Sequence, residues 1–156
     1  MPDMRCARRR ILSSLIVAAI VAFAWGAAKA DETPIAQIKT ASAPAFIVRS
    51  GSKIPAVPGA ALFVKDVLQT DTGGSIGLTF SDNSVLSVGP SSEVALAEYN
   101  FDSSNFTGSM QTDIHSGTLS MVSGDIARSS PSAMKVRTPT AILGVRGTSF
   151  AVEVGH

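Results

Sequence analysis

Chain breakers punctuate this sequence so regularly that helices of ordinary length have nowhere to form. Gly51, Pro55, Pro58, Gly59, Gly73-Gly74, Asp82-Asn83, Gly89-Pro90, Asp102 to Asn105, Gly108, Gly117, Gly124, Ser129 to Ser132 and Gly144 follow one another closely. Few gaps between them reach the roughly 10 to 12 residues that a helix needs. Inside the gaps, apolar residues recur at every second position. Ile76, Leu78 and Phe80 share one face, Leu86 and Val88 share the next, Val94 and Leu96 begin another, and Phe150, Val152 and Val154 repeat the pattern near the end. A period of two is the mark of strands with one buried face. The expected class is therefore all-β. Strands starting near Ser75, Ser84 and Glu93 are spaced by about nine residues, a cadence that suits a β-sandwich or a β-solenoid of short stacked strands. The Gly and Asp-Asn corners favour the solenoid, since Asn tolerates the left-handed backbone and Asp bonds its own main chain.

Residues 1–30 read as a signal peptide. Arg8 to Arg10 supply a basic start, Ile11 to about Trp25 an apolar run, and Ala28-Lys29-Ala30 places small residues where a signal peptidase reads them, with cleavage after Ala30. The competing reading is an uncleaved anchor. The 18-residue stretch from Ile11 to Ala28 sits at the short end of the roughly 17 to 25 residues that span a bilayer, and Ser13 and Ser14 interrupt it. Contact with the membrane is expected only through this segment, if it is retained. The single cysteine, Cys6, leaves with the signal, so an exported chain must hold its core without disulfides. Residues 31–44, DETPIAQIKTASAP, are small, polar and broken by proline, and read as a linker before a domain spanning 45–156. Beyond residue 30 the charge balance is slightly acidic and the basic groups are scattered, which offers no surface for nucleic acid.

Two segments carry a pattern beyond alternation. The first, Asp66 to Leu96, contains Thr70, Gly74-Ser75, Leu78, Phe80, Asp82, Ser84, Leu86, Val88, Gly89-Pro90 and Ser92. A middle element follows, with Gly117-Thr118-Leu119 and Ser123-Gly124. The second segment is Val136 to Phe150, VRTPTAILGVRGTSF, containing Thr138-Pro139-Thr140-Ala141, Gly144, Arg146-Gly147-Thr148 and Phe150. In this order and spacing the chain resembles the FecR domain family over about residues 45 to 154. Read physically, the residues are structural first. Gly89-Pro90 makes a rigid turn, and Thr138-Pro139 holds Thr138 extended at a strand start or edge. Arg146 is displayed between Gly144 and Gly147. It can clamp a partner's carboxylate, but the favoured expectation is an internal ion pair with Asp66, Asp125 or another acid.

Chemistry-bearing sets are thin. Asp113, His115 and Ser116 are the nearest approach to a triad, without a nucleophile elbow or an oxyanion turn beside them. The carboxylates lack ligand spacing and no phosphate-binding loop occurs. No catalytic residue, cofactor or metal is expected.

The resemblance implies sensing. The FecR domain is the periplasmic part of regulators that receive a signal from an outer-membrane transporter and pass it to a cytoplasmic anti-sigma segment. Here only ten residues precede the apolar run, so the expectation is a stand-alone exported form, a non-enzymatic periplasmic module that binds another envelope protein. The strand Ser149 to Val154, with Phe150, Val152 and Val154, is the candidate edge for β-augmentation; a final core strand paired internally is the favoured alternative. A cell-wall glycan or small-ligand domain using Tyr99, Phe101 and Phe106, or a structural envelope subunit, are the other readings.

Overall fold

The alternation is realised as one curled β-sheet. A computed structural model describes residues 32–130, 132–146 and 149–155; the signal-peptide reading of residues 1–30 lies outside them, as do Gly147 and Thr148. The strands are β1 (Ala36–Ser42), β2 (Ala45–Arg49), β3 (Ser52–Pro55), β4 (Ala61–Leu62), β5 (Val67–Thr70), β6 (Ser75–Phe80), β7 (Val85–Val88), β8 (Glu93–Asp102), β9 (Thr107–Val122), β10 (Met134–Arg137), β11 (Ile142–Gly144) and β12 (Ser149–Val154). Their order is β3-β2-β5-β8-β9-β7-β6-β1-β4, with β10 and β12 also against β9 and β11 against β10. Every pairing among the described residues is antiparallel except β10 with β9. Among the described residues no helix is long and apolar enough to cross a membrane.

The long strand β9 is the spine. Its first part, from Thr107 to Ser116, pairs with β8, and its last part, from Gly117 to Val122, pairs with β7 and β12. The change of neighbour falls at a β-bulge, where Glu93 faces Ser116 but Val94 faces Ile114, leaving His115 as the extra residue. Gly117 follows at φ +84°, and a Cβ there would lie 2.1 Å from Ser92 Oγ, so glycine is required on both counts. The curl lets the two arms of the sheet share one core. Ile38, Ile76, Leu78, Leu86, Leu119 and Met121 come from one arm, and Ile47, Leu68, Val94, Leu96, Met110, Ile114, Met134 and Val136 from the other. Each such aliphatic side chain contributes about 1.5–3 kcal/mol on burial.

Two expectations are corrected. Residues 36–42 of the supposed linker form β1, which lies between β6 and β4 and buries Ile35, Ala36 and Ile38. Its small residues hid it: Thr40 lies opposite Gly77, where a side chain on residue 77 would strike Thr40 Oγ1. A short helix, α1 (Asp125–Ser129), also occurs where only turns are expected, and it buries Ile126.

Candidate functional site: an inward and an outward half of the motif

The first half of the motif is consumed by the fold. Thr70 Oγ1 donates to the Gly89 carbonyl at 2.6 Å and accepts the Ser92 N–H at 3.0 Å, while Ser92 Oγ donates to the Pro90 carbonyl and accepts the Thr118 N–H, both at 2.9 Å. These bonds tie the Gly-Pro corner to β5 on one side and β9 on the other. Gly74 lies against the Pro44 carbonyl, where a Cβ would come within 2.1 Å. Ser75 opens β6, and Phe80 closes it, buried.

Asp82 is fully buried and acts as an acceptor hub. Its carboxylate accepts Ser84 Oγ–H at 2.7 Å, Ser84 N–H at 3.2 Å, the Tyr99 hydroxyl at 3.4 Å and Ile126 N–H at 3.4 Å. Ser84 Oγ accepts the Gly124 N–H at 2.9 Å, and Tyr99 O accepts the Asp82 N–H at 2.9 Å. The Tyr99 ring stacks on Phe80 at 5.4 Å. Burial, then the nearby Asp82 charge, push the Tyr99 phenol above its ordinary range. Tyr99 is thus built into the wall of the core, and of the aromatic trio only Phe106 is well exposed. Gly124 passes so close to the Asp82 carbonyl that a Cβ would sit 2.1 Å from it.

The acids proposed for Arg146 are already taken. Asp66, whose side chain is 2% exposed, is held bidentately by Arg49, Nε to Oδ1 at 2.8 Å and Nη2 to Oδ2 at 2.7 Å, and also accepts the Phe63 N–H. The Arg49 guanidinium lies 4.5 Å over the Phe63 ring, and its hydrogen bond with Asp66 raises its pKa further. Asp125 is engaged by Arg128 and Asn83. Arg146 is exposed and makes no ion pair with any described residue. The Asp113, His115 and Ser116 set is also dispersed: His115 Nδ1 lies 2.9 Å from Glu93 Oε1, and Asp113 faces Gln111 and Arg137. Glu93 is held below the usual carboxylate range by the Gln69 amide first and His115 second. Arg49 and Glu93 escaped sequence reasoning because their partners are remote in the chain and no local spacing announces them.

The second half of the motif faces outward. Thr138 Oγ1 accepts the Ala141 N–H at 3.0 Å and Thr138 N–H donates to the Ala141 carbonyl at 2.8 Å, closing the turn that joins β10 to β11. Pro139 lies in that turn and lacks the amide that a strand would need. Beyond the turn, Ile142 is 62% and Leu143 39% exposed, and β11 has no strand on its outer side among the described residues. Gly144 has open space around its Cα, and Val145 returns to the core. Lys135 and Arg137, opposite Gly144 and Ile142, share this exposed face with them. That face of the hairpin therefore presents Ile142 among cationic groups, while Leu143 lies opposite the buried Val136 on the other face.

The comparisons agree with the residue pattern. The model of the FecR protein family matches residues 66–156. The chain belongs to the FecR family. No curated protein and no solved structure matches it. Membership relates this domain to signal-transduction regulators of the cell envelope, a regulatory and sensing family. In this FecR domain the matched segment contains both halves of the motif, the one that locks the core and the one that forms the exposed hairpin.

Proposed function

We propose that this FecR protein is a non-enzymatic, periplasmic sensing module that docks another envelope protein on the β10–β11 hairpin. One observation supports the reading above others: between the buried Val136 and Val145, the family's second motif segment forms an exposed hairpin turn and strand. Ile142 supplies the apolar anchor, with Lys135 and Arg137 on its face, and Arg146 is an exposed cation without an ion pair among the described residues, so the fitting partner offers an apolar segment flanked by carboxylates. Export through residues 1–30 delivers the domain to the compartment where such a partner resides.

The test is affinity capture from an envelope extract, with the wild-type chain and an Ile142→Ser, Arg146→Ala variant as baits and mass spectrometry as readout. Retention of a transporter signalling domain or a membrane-bound regulator by the wild type alone supports the proposal. Equal recovery by both baits, or recovery of cell-wall fragments only, overturns it.

A further inference from the structure

We infer that the outer edge of β12 pairs with the same edge of a second copy of this chain, joining two sheets across a twofold axis. The inference is independent of the hairpin docking proposed above.

Sheets with open edges invite pairing, and natural proteins blunt them with lysine, proline or brevity. Among the described residues four strands have one neighbour only. β3 carries Lys53 and ends in Pro55, β4 has two residues and β11 has three. β12 has six residues, Ser-Phe-Ala-Val-Glu-Val, with no lysine, proline or glycine, and pairs with β9 alone. Its inner side chains Phe150, Val152 and Val154 pack against the core yet remain only half-buried, while Ala151 and Glu153 are exposed on the outer face. Such half-covered apolar residues are completed by another strand alongside.

The sequence of β12 suits its own copy. In an antiparallel pair, directly opposite residues lie on the same face, so a continuous sheet requires inner residues to meet inner residues. The register centred on Val152 places Val152 opposite its twin and Phe150 opposite Val154 on both sides, using every inner apolar side chain. On the outer face it sets Ala151 against the twin's Glu153. Centring on Glu153 would oppose two like charges, and centring on Ala151 would leave Val154 without an inner partner. One strand thus fills both roles of an isologous contact.

Ala151 gives a test that leaves the fold alone, because it is exposed and its neighbour on β9 is the small Ser120. The full chain, produced with export, is followed by sedimentation velocity across the micromolar range at low salt, the scale of small interfaces. The wild type is expected to form dimers. Ala151→Glu opposes two glutamates at two symmetric positions and should weaken association about tenfold, whereas Ala151→Lys should tighten it about tenfold, both effects fading in high salt. Melting temperatures of the two variants are expected to match the wild type. A wild type that stays monomeric throughout, or variants that shift association in the same direction, overturn the inference; loss of hairpin docking with dimerisation intact affects only the earlier proposal.

Discussion

Replacing Asp82 by asparagine tests whether the motif's acid is a structural acceptor. The substitution preserves shape but turns one acceptor oxygen into a donor group. All four groups converging on the carboxylate donate to it, at 2.7, 3.2, 3.4 and 3.4 Å, and the site is fully buried. If the amide nitrogen takes the Oδ2 position it faces the Ile126 N–H and the Ser84 hydroxyl; in the Oδ1 position it faces the Ser84 N–H. Either way one buried backbone donor loses its acceptor, and the bonds that remain are no longer charge-assisted. An unsatisfied buried donor costs about 1–3 kcal/mol and each bond to a charge is stronger than a neutral one by about 1 kcal/mol, giving about 2–4 kcal/mol in all. For a domain of this size that lowers the melting temperature by about 8–15 °C. Urea and thermal unfolding followed by circular dichroism measure it. Tyr99→Phe is the companion variant: the stack on Phe80 survives, but the Asp82 N–H loses its acceptor, at about 1–3 kcal/mol. A loss under about 0.5 kcal/mol for Asp82→Asn would refute the acceptor-hub argument.

Three further outcomes are expected. Tyr99 is the single tyrosine, so its ultraviolet titration reads one site: its folded midpoint lies above the ordinary value near 10. Because the folded pKa is raised, this phenol's contribution to stability is complete below pH about 10 and is lost as the pH climbs beyond it; a midpoint at the ordinary value in the folded protein contradicts its burial. Gly124→Ala drives a Cβ to 2.1 Å from the Asp82 carbonyl and 2.5 Å from the Ser84 nitrogen, backbone atoms that cannot swing away, whereas Gly144 has nothing within 4 Å. Unfolding experiments should show a loss of about 3 kcal/mol or more for Gly124→Ala and under about 0.5 kcal/mol for Gly144→Ala. Arg49→Met strands the Asp66 carboxylate and should cost about 3–5 kcal/mol, with Asp66→Asn in the same chain recovering part of the loss, as measured by a double-mutant cycle.

Much of the fold is legible in local pattern, because burial in a sheet imposes a period of two. Ile76, Leu78 and Phe80, Leu86 and Val88, and Val94 and Leu96 are buried as their alternation requires. β1 is the instructive failure. Ala36 and Ile38 carry its core face, with Ile35 buried just before it, but Thr40, Ala41 and Ser42 are small and largely exposed, and small residues beside prolines read as linker. Long-range partnerships were illegible for a different reason. The Arg49 and Asp66 pair joins β2 to the turn before β5, and the Glu93 contact with His115 exists because a bulge leaves His115 over β8. Neither follows from sequence spacing, since each depends on which strands become neighbours.

The motif's division into inward and outward halves carries a mechanical consequence. Thr70, Gly89 and Ser92 form one hydrogen-bonded set from β5 to β9, and Asp82 and Ser84 form another that reaches α1. The hairpin is fixed to the same spine, since β10 runs parallel to β9 from Met110 to Asp113, and the Val145 N–H donates to the Met134 carbonyl. Damage to the inward half therefore reaches the outward half only through β9, as a loss of folded protein and in proportion to it. Damage to Ile142 or Arg146 removes contacts that the fold does not use. Plotted against stability, binding by inward variants should fall on one curve shared by all of them, and binding by hairpin variants should drop away from that curve at unchanged stability.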